Sequence, residues 1–80
     1  MSSVDQWRME LNNYLQRSQQ TGILSWEVTS SGPPHARIWT AVAYIRGVEY
    51  GHASASTSAG AKEEAARQTL SALRAERAGY

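Results

Sequence analysis

Ser31-Gly32-Pro33-Pro34-His35 stands between two runs of alternating apolar and polar residues, and reading it as a turn divides the middle of the chain into strands. Pro33 and Pro34 each hold φ at about −65° and donate no backbone N–H. Gly32 admits backbone conformations that other residues resist. The stretch therefore predicts a stiff, protruding loop, with His35 at its end and its backbone anchored to the strand that follows. Such a loop is either a plain strand connection or, because it carries a hydrogen-bonding group on a rigid support, a recognition element.

Working outward, Leu24, Trp26 and Val28 alternate with Ser25, Glu27 and Thr29, the period of a strand with one buried face. Beyond the loop, Trp39, Ala41, Ala43 and Ile45 share one face and Ile38, Thr40, Val42 and Tyr44 the other, which predicts a central strand. Arg46-Gly47 signals a tight turn, and the chain returns from Val48 to about Ala55 as the third strand of an antiparallel meander. Gly51, Ala53 and Ala55 keep that strand slim, so a neighbouring element can come close.

Helices flank the strands. Ser3 and Gln6 have capping-box spacing, and Asp5 favours the positive end of a helix dipole. Val4, Trp7, Leu11, Tyr14 and Leu15 then form one apolar stripe, giving a helix from about residue 4 to about residue 18, stopped by Thr21-Gly22. A second helix, capped by Thr57 or Ser58, spans about residues 58 to 77. Its apolar surface is Ala61, Ala65, Ala66, Leu70 and Leu73, and Gly79 ends it. Arg74 and Arg77 read as solvated charges at its negative end. The fold class is α+β: α-β-β-β-α, a three-stranded antiparallel sheet with two helices packed on one face.

Composition bounds the function. Eighty residues suit a single domain, here 1–80 with a core over about 4–75, and leave too little chain for a catalytic cleft plus a cofactor domain. The chain has no cysteine, which excludes disulfides and thiolate chemistry and fits an intracellular protein, in cytoplasm or nucleus. No apolar run reaches the roughly 18 residues of a membrane span, and no signal-peptide pattern opens the chain, so a soluble protein is expected. A formal net charge of +1 provides no global positive field, and any binding of a polyanion must be local. With no Phe, the large core groups are Trp7, Trp26, Trp39 and the tyrosines. Nothing calls for a cofactor, a metal or a small-molecule substrate. His35 with Glu27, or His52 with a nearby Ser, can be drawn as a catalytic pair, but no motif organises either one, and an enzyme is not expected.

The whole pattern resembles the double-stranded RNA-binding domain family. The resemblance is carried by Leu11-Asn12-Asn13-Tyr14-Leu15-Gln16 in the first helix and by Trp26-Glu27-Val28 in the first strand. It continues through Gly32-Pro33-Pro34-His35 leading to Trp39, and through Ala61-Lys62-Glu63-Glu64-Ala65-Ala66 with Leu70 and Leu73. What it implies is recognition of A-form duplex RNA by shape, across two minor grooves and the phosphates between them over about 16 base pairs. By the same resemblance, Asn12, Asn13 and Gln16 face one minor groove, Pro34 and His35 enter the next, and Ser58, Ala59 and Lys62 begin the helix that crosses the phosphates.

The chain departs from the family at two places. Ser58-Ala59 stands where typical members carry a Lys-Lys pair, and Asn13 replaces the usual Glu. Each phosphate neutralised contributes roughly 0.9 to the salt slope on a B-form duplex, so two missing lysines predict weakened binding. The alternative expectation is a protein-interaction module, a homodimer or a complex with another protein, contacting through Ile38, Val42 and Tyr44. Both a complete protein and a domain of a larger one, such as a ribonuclease or an editing enzyme, are compatible with the sequence.

Overall fold

A computed structural model describes residues 6–17 and 23–78. In chain order they form α1 (Gln6–Arg17), β1 (Leu24–Ser31), a 3-10 turn (Pro34–Ala36), β2 (Ile38–Ile45), β3 (Val48–Ala55) and α2 (Ser58–Ala78). The expected α-β-β-β-α order and antiparallel sheet are the ones observed. The Ser3 cap with Asp5 and Val4, the Thr21-Gly22 stop, the Gly79 terminator and the side chain of Arg77 lie outside the described residues.

The sheet order is β1-β2-β3. β1 and β2 pair without a shift from Leu24↔Ile45 to Ser31↔Ile38. Arg46 and Gly47 connect β2 to β3 with φ of 53° and 80°, the two positive values of a type I′ hairpin turn. Between β2 and β3 the register slips, from Ala43↔Gly51 to Tyr44↔Glu49, so Tyr50 is an extra residue on β3. Simple alternation puts Tyr50 on the outer face with His52. The bulge instead lets it pack against the core and donate from its hydroxyl to Glu76 Oε2 of α2 at 2.7 Å.

Two clusters hold the helices to the sheet. Leu11 and Leu15 of α1, Ile45 of β2, and Ala66, Leu70 and Leu73 of α2 form one, with Trp7, Tyr14, Leu24, Trp26 and Tyr50 packed around it. Ala41, Ala61 and Ala65 form the other, flanked by Trp26, Val28, Trp39, Ala53 and Ala55. The tryptophans thus wall the core half-buried, while the fully enclosed large side chains are Leu11, Leu70 and Thr69. The Thr69 hydroxyl satisfies itself by donating to Ala65 O, 2.8 Å away.

The slim strand does what its composition predicts. A Cβ on Gly51 would lie 2.5 Å from Ala65 O and 2.5 Å from Thr69 Oγ1, distances that no side chain tolerates. Glycine at 51 therefore sets how closely α2 can seat on β3.

Candidate nucleic-acid interface

The loop after β1 is an ordered turn. Gly32 has φ of 93°, and a Cβ there would meet Ala36 O at 2.9 Å, so both conformation and space require glycine. The Ala36 N–H donates to Pro33 O at 3.0 Å, closing the 3-10 turn. Arg37 Nη1 donates to Ser30 Oγ at 3.0 Å across the base of the loop. Pro34 and His35 are exposed at its tip.

At the start of α2, Thr57 is the cap and Ser58 is the first helical residue. Thr57 Oγ1 accepts from the Gly60 N–H and Thr57 O from the Ala61 N–H, each at 3.0 Å. The amides of Ser58 and Ala59 precede the first intrahelical bond and are open to an outside acceptor. Lys62 stands half-buried one turn further on.

Sheet register joins these two regions. Ser31 pairs with Ile38 and Trp39 with Ala55, so the loop, the end of β3 and the start of α2 emerge at the same end of the sheet.

The third region is reached through α1. Glu63 of α2 accepts from the Trp7 N–H through Oε2 and from the Arg8 N–H through Oε1 at 3.3 Å. Its Oε1 also lies 3.6 Å from Arg8 Nε. Further along, the Tyr14 hydroxyl reaches Leu73 O at 3.5 Å. The helices consequently run parallel, and the exposed residues of α1 lie beside the middle and rear of α2. Lys62 and Leu73 are about 16 Å apart along the axis, at 1.5 Å per residue. Asn12, Gln16 and Asn13 are all exposed and fall within an arc of about 100° on the side of α1 away from buried Leu11.

The acids next to Lys62 are occupied. Glu63 holds the first turn of α1, and Glu64 accepts from Arg67 Nε at 3.0 Å and from Nη2. That bond to the Arg67 guanidinium holds the Glu64 carboxyl below its ordinary range. Among the described residues neither catalytic pairing drawn from the sequence is hydrogen-bonded. Glu27 accepts from the Tyr44 hydroxyl at 2.9 Å, and His52 Nδ1 sits 2.9 Å from Glu49 Oε2. Among the described residues no group of three His, Asp or Glu could hold a metal ion, and no helix is long and apolar enough to cross a membrane.

Comparison with known proteins matches the family described as double-stranded RNA binding motif over residues 7–73. The chain belongs to this family. Ribonuclease 3 of Corynebacterium efficiens is 35% identical to this double-stranded RNA binding motif over 72 residues, covering 90% of the chain and 29% of that enzyme. The chain thus spans under a third of the length of that relative. The first dsRBD of HYL1 superposes with a TM-score of 0.69 at 22% identity, covering 82% of this chain and 93% of that one. The second dsRBD of HYL1 gives 0.61 at 23%, covering 85% and 97%. At those identities the HYL1 domains bear on the fold alone.

Two polar elements of this motif were missed from the sequence. Glu63 reads there only as part of the Ala61–Ala66 stretch, and its partners stand 56 and 55 positions away. Arg37 adds a cation at the base of the loop, and its sequence signal was simply its place three residues after Pro34.

Proposed function

We propose that this domain binds double-stranded RNA by the shape of the A-form duplex, without catalysis. In this reading Asn12, Asn13 and Gln16 meet 2′-hydroxyls and base edges in one minor groove. Pro34 and His35 enter the next groove, with His35 donating to a ribose hydroxyl. Lys62 and the amides of Ser58 and Ala59 contact the phosphates between. The observation that carries it is the emergence of the loop and the open end of α2 side by side, with the amide-bearing arc of α1 alongside. Arg8 beside Glu63 and Arg67 beside Glu64 offset part of the negative charge next to Lys62, which supports a phosphate contact there.

Binding is weaker than in family members that carry the Lys-Lys pair. Ser58 provides a hydroxyl and Ala59 an amide in its place, and neither releases a counterion as a lysine does. Arg37 restores part of the charge. Residues 1–80 act as one domain with its core over about 4–75, and an intracellular site of action follows from the ligand and from the lack of cysteine. Similarity to part of Ribonuclease 3 supports a role as the RNA-holding portion of a larger RNA-processing protein.

The test is a titration with an RNA duplex of about 20 base pairs, longer than the expected footprint, beside matched DNA duplex and single-stranded RNA at two salt concentrations. The expected result is preference for duplex RNA with affinity falling as salt rises. No binding at low salt, together with a dimeric mass in solution, would replace this reading with a protein-interaction module.

A further inference from the structure

The face of the sheet that α2 covers continues past the start of α2. On that face Val28 and Trp39 pack against the cluster of Ala41, Ala61 and Ala65. Ser30 is two residues beyond Val28 on β1, and Arg37 is two residues before Trp39, with extended backbone at φ −75° and ψ 137°. Alternation therefore puts both side chains on the covered face. The bond from Arg37 Nη1 to Ser30 Oγ at 3.0 Å fits that placement. Where the face runs beyond α2, its apolar residues thus give way to an exposed serine and an exposed arginine.

Trp39 pairs with Ala55, so Arg37 lies about 7 Å beyond that pair, toward the level at which α2 begins with the open amides of Ser58 and Ala59. No acid occurs in the sequence between Glu27 and Glu49. Glu27 itself turns to the Tyr44 hydroxyl on the outer face. Among the described residues no carboxylate pairs with Arg37. Ser30 engages Nη1 and leaves the Nε and Nη2 edge, two parallel N–H groups that suit a phosphate. We propose that Arg37 is a phosphate contact of the RNA duplex and that Ser30 is its positioning residue. This rests on the duplex-binding reading above and adds to it a cation outside α2, in place of one of the lysines absent at Ser58-Ala59. A neutral serine oxygen orients the guanidinium without cancelling its charge, as a carboxylate would.

The test is a series of salt titrations of the RNA duplex with the unaltered chain and with variants at both positions. Arg37→Gln should lower affinity about threefold to tenfold and reduce the slope of log affinity against log salt by about 1. Arg37→Lys should keep the slope and lose part of the affinity, because an ammonium has no fork. Ser30→Ala should weaken binding about threefold, and not at all once Arg37→Gln is present. Melting temperatures should change little throughout, both positions being exposed. Loss of affinity in Arg37→Gln with an unchanged slope would overturn the proposal by making Arg37 a brace of the loop. Full affinity in Arg37→Gln, or an equal cost of Ser30→Ala with and without Arg37, would overturn it too. Failure of the unaltered chain to bind the duplex at low salt would instead overturn the duplex-binding reading, and this inference with it.

Discussion

Along α2, Ala61 and Ala65 meet the sheet against Ala41, Ala53 and Ala55, whereas Ala66, Leu70 and Leu73 sink among Leu11, Leu15 and Ile45 of α1 and β2. Burial of apolar area stabilises by about 25 cal/mol per Å², so the leucine half contributes most of the attachment energy. The alanine half contributes little area, yet it has no rotamers to adjust and brings α2 closest to β3 at Gly51. One half supplies strength and the other supplies position. The positioned half is the one that carries Ser58, Ala59 and Lys62.

The strongest test of this division is Leu70→Ala, which empties the centre of the leucine half. It should cost about 2–5 kcal/mol, read as a fall in the denaturation midpoint. A loss under about 1 kcal/mol would mean the attachment energy lies elsewhere. Gly51→Ala attacks the alanine half through overpacking. We expect a loss of about 1–3 kcal/mol, and weaker duplex-RNA binding in molecules that remain folded, because α2 must shift to admit the methyl group. Unchanged RNA affinity in folded Gly51→Ala would show that exact seating of α2 does not matter to the interface.

Glu63→Ala removes the carboxylate that closes the first turn of α1. It should destabilise by about 0.5–2 kcal/mol, as removal of a helix cap does. A neutral result would make the Glu63 contacts incidental. Lys62→Ala should leave stability nearly intact while lowering the slope of log affinity against log salt by about 1. An unchanged slope would remove Lys62 from the phosphate contacts.

The smallest effect is at the far end of α2. The hydrogen bond to Glu76 raises the pKa of Tyr50 above its ordinary value. The stabilisation is therefore fully present below the unfolded tyrosine pKa and is lost as pH rises through the folded one. Absorbance titration should show two tyrosines ionising late, Tyr44 through its bond to Glu27 and Tyr50 through Glu76, and Glu76→Gln should bring Tyr50 alone back toward the rest. A profile unaltered by Glu76→Gln would dissociate Tyr50 from that clasp.

Much of this arrangement was open to reading from local chemistry. Strand faces, the Arg46-Gly47 turn, a cap at Thr57 or Ser58 and the slimness of the strand at Gly51 all follow from spacing within a few residues. Composition put Tyr50 among the large core groups, as observed, but the bulge that turns it there was not legible, because it depends on what packs on the strand, here α2 with Glu76. Glu63 escaped for the same reason: nothing local shows that its carboxylate closes another helix. For the candidate site, sequence placed each group on its element correctly. That the loop and the α2 start lie side by side became visible only with the β1-β2-β3 register.

Edge strand β3 turns the His52 N–H outward, and Gln68 Oε1 of α2 accepts from it at 3.2 Å. Exchange of that N–H with deuterated solvent is therefore slowed by the Gln68 side chain and speeds up whenever that side chain lets go. A single amide thus gauges the Gln68 tie between α2 and the sheet edge, readable in the intact molecule.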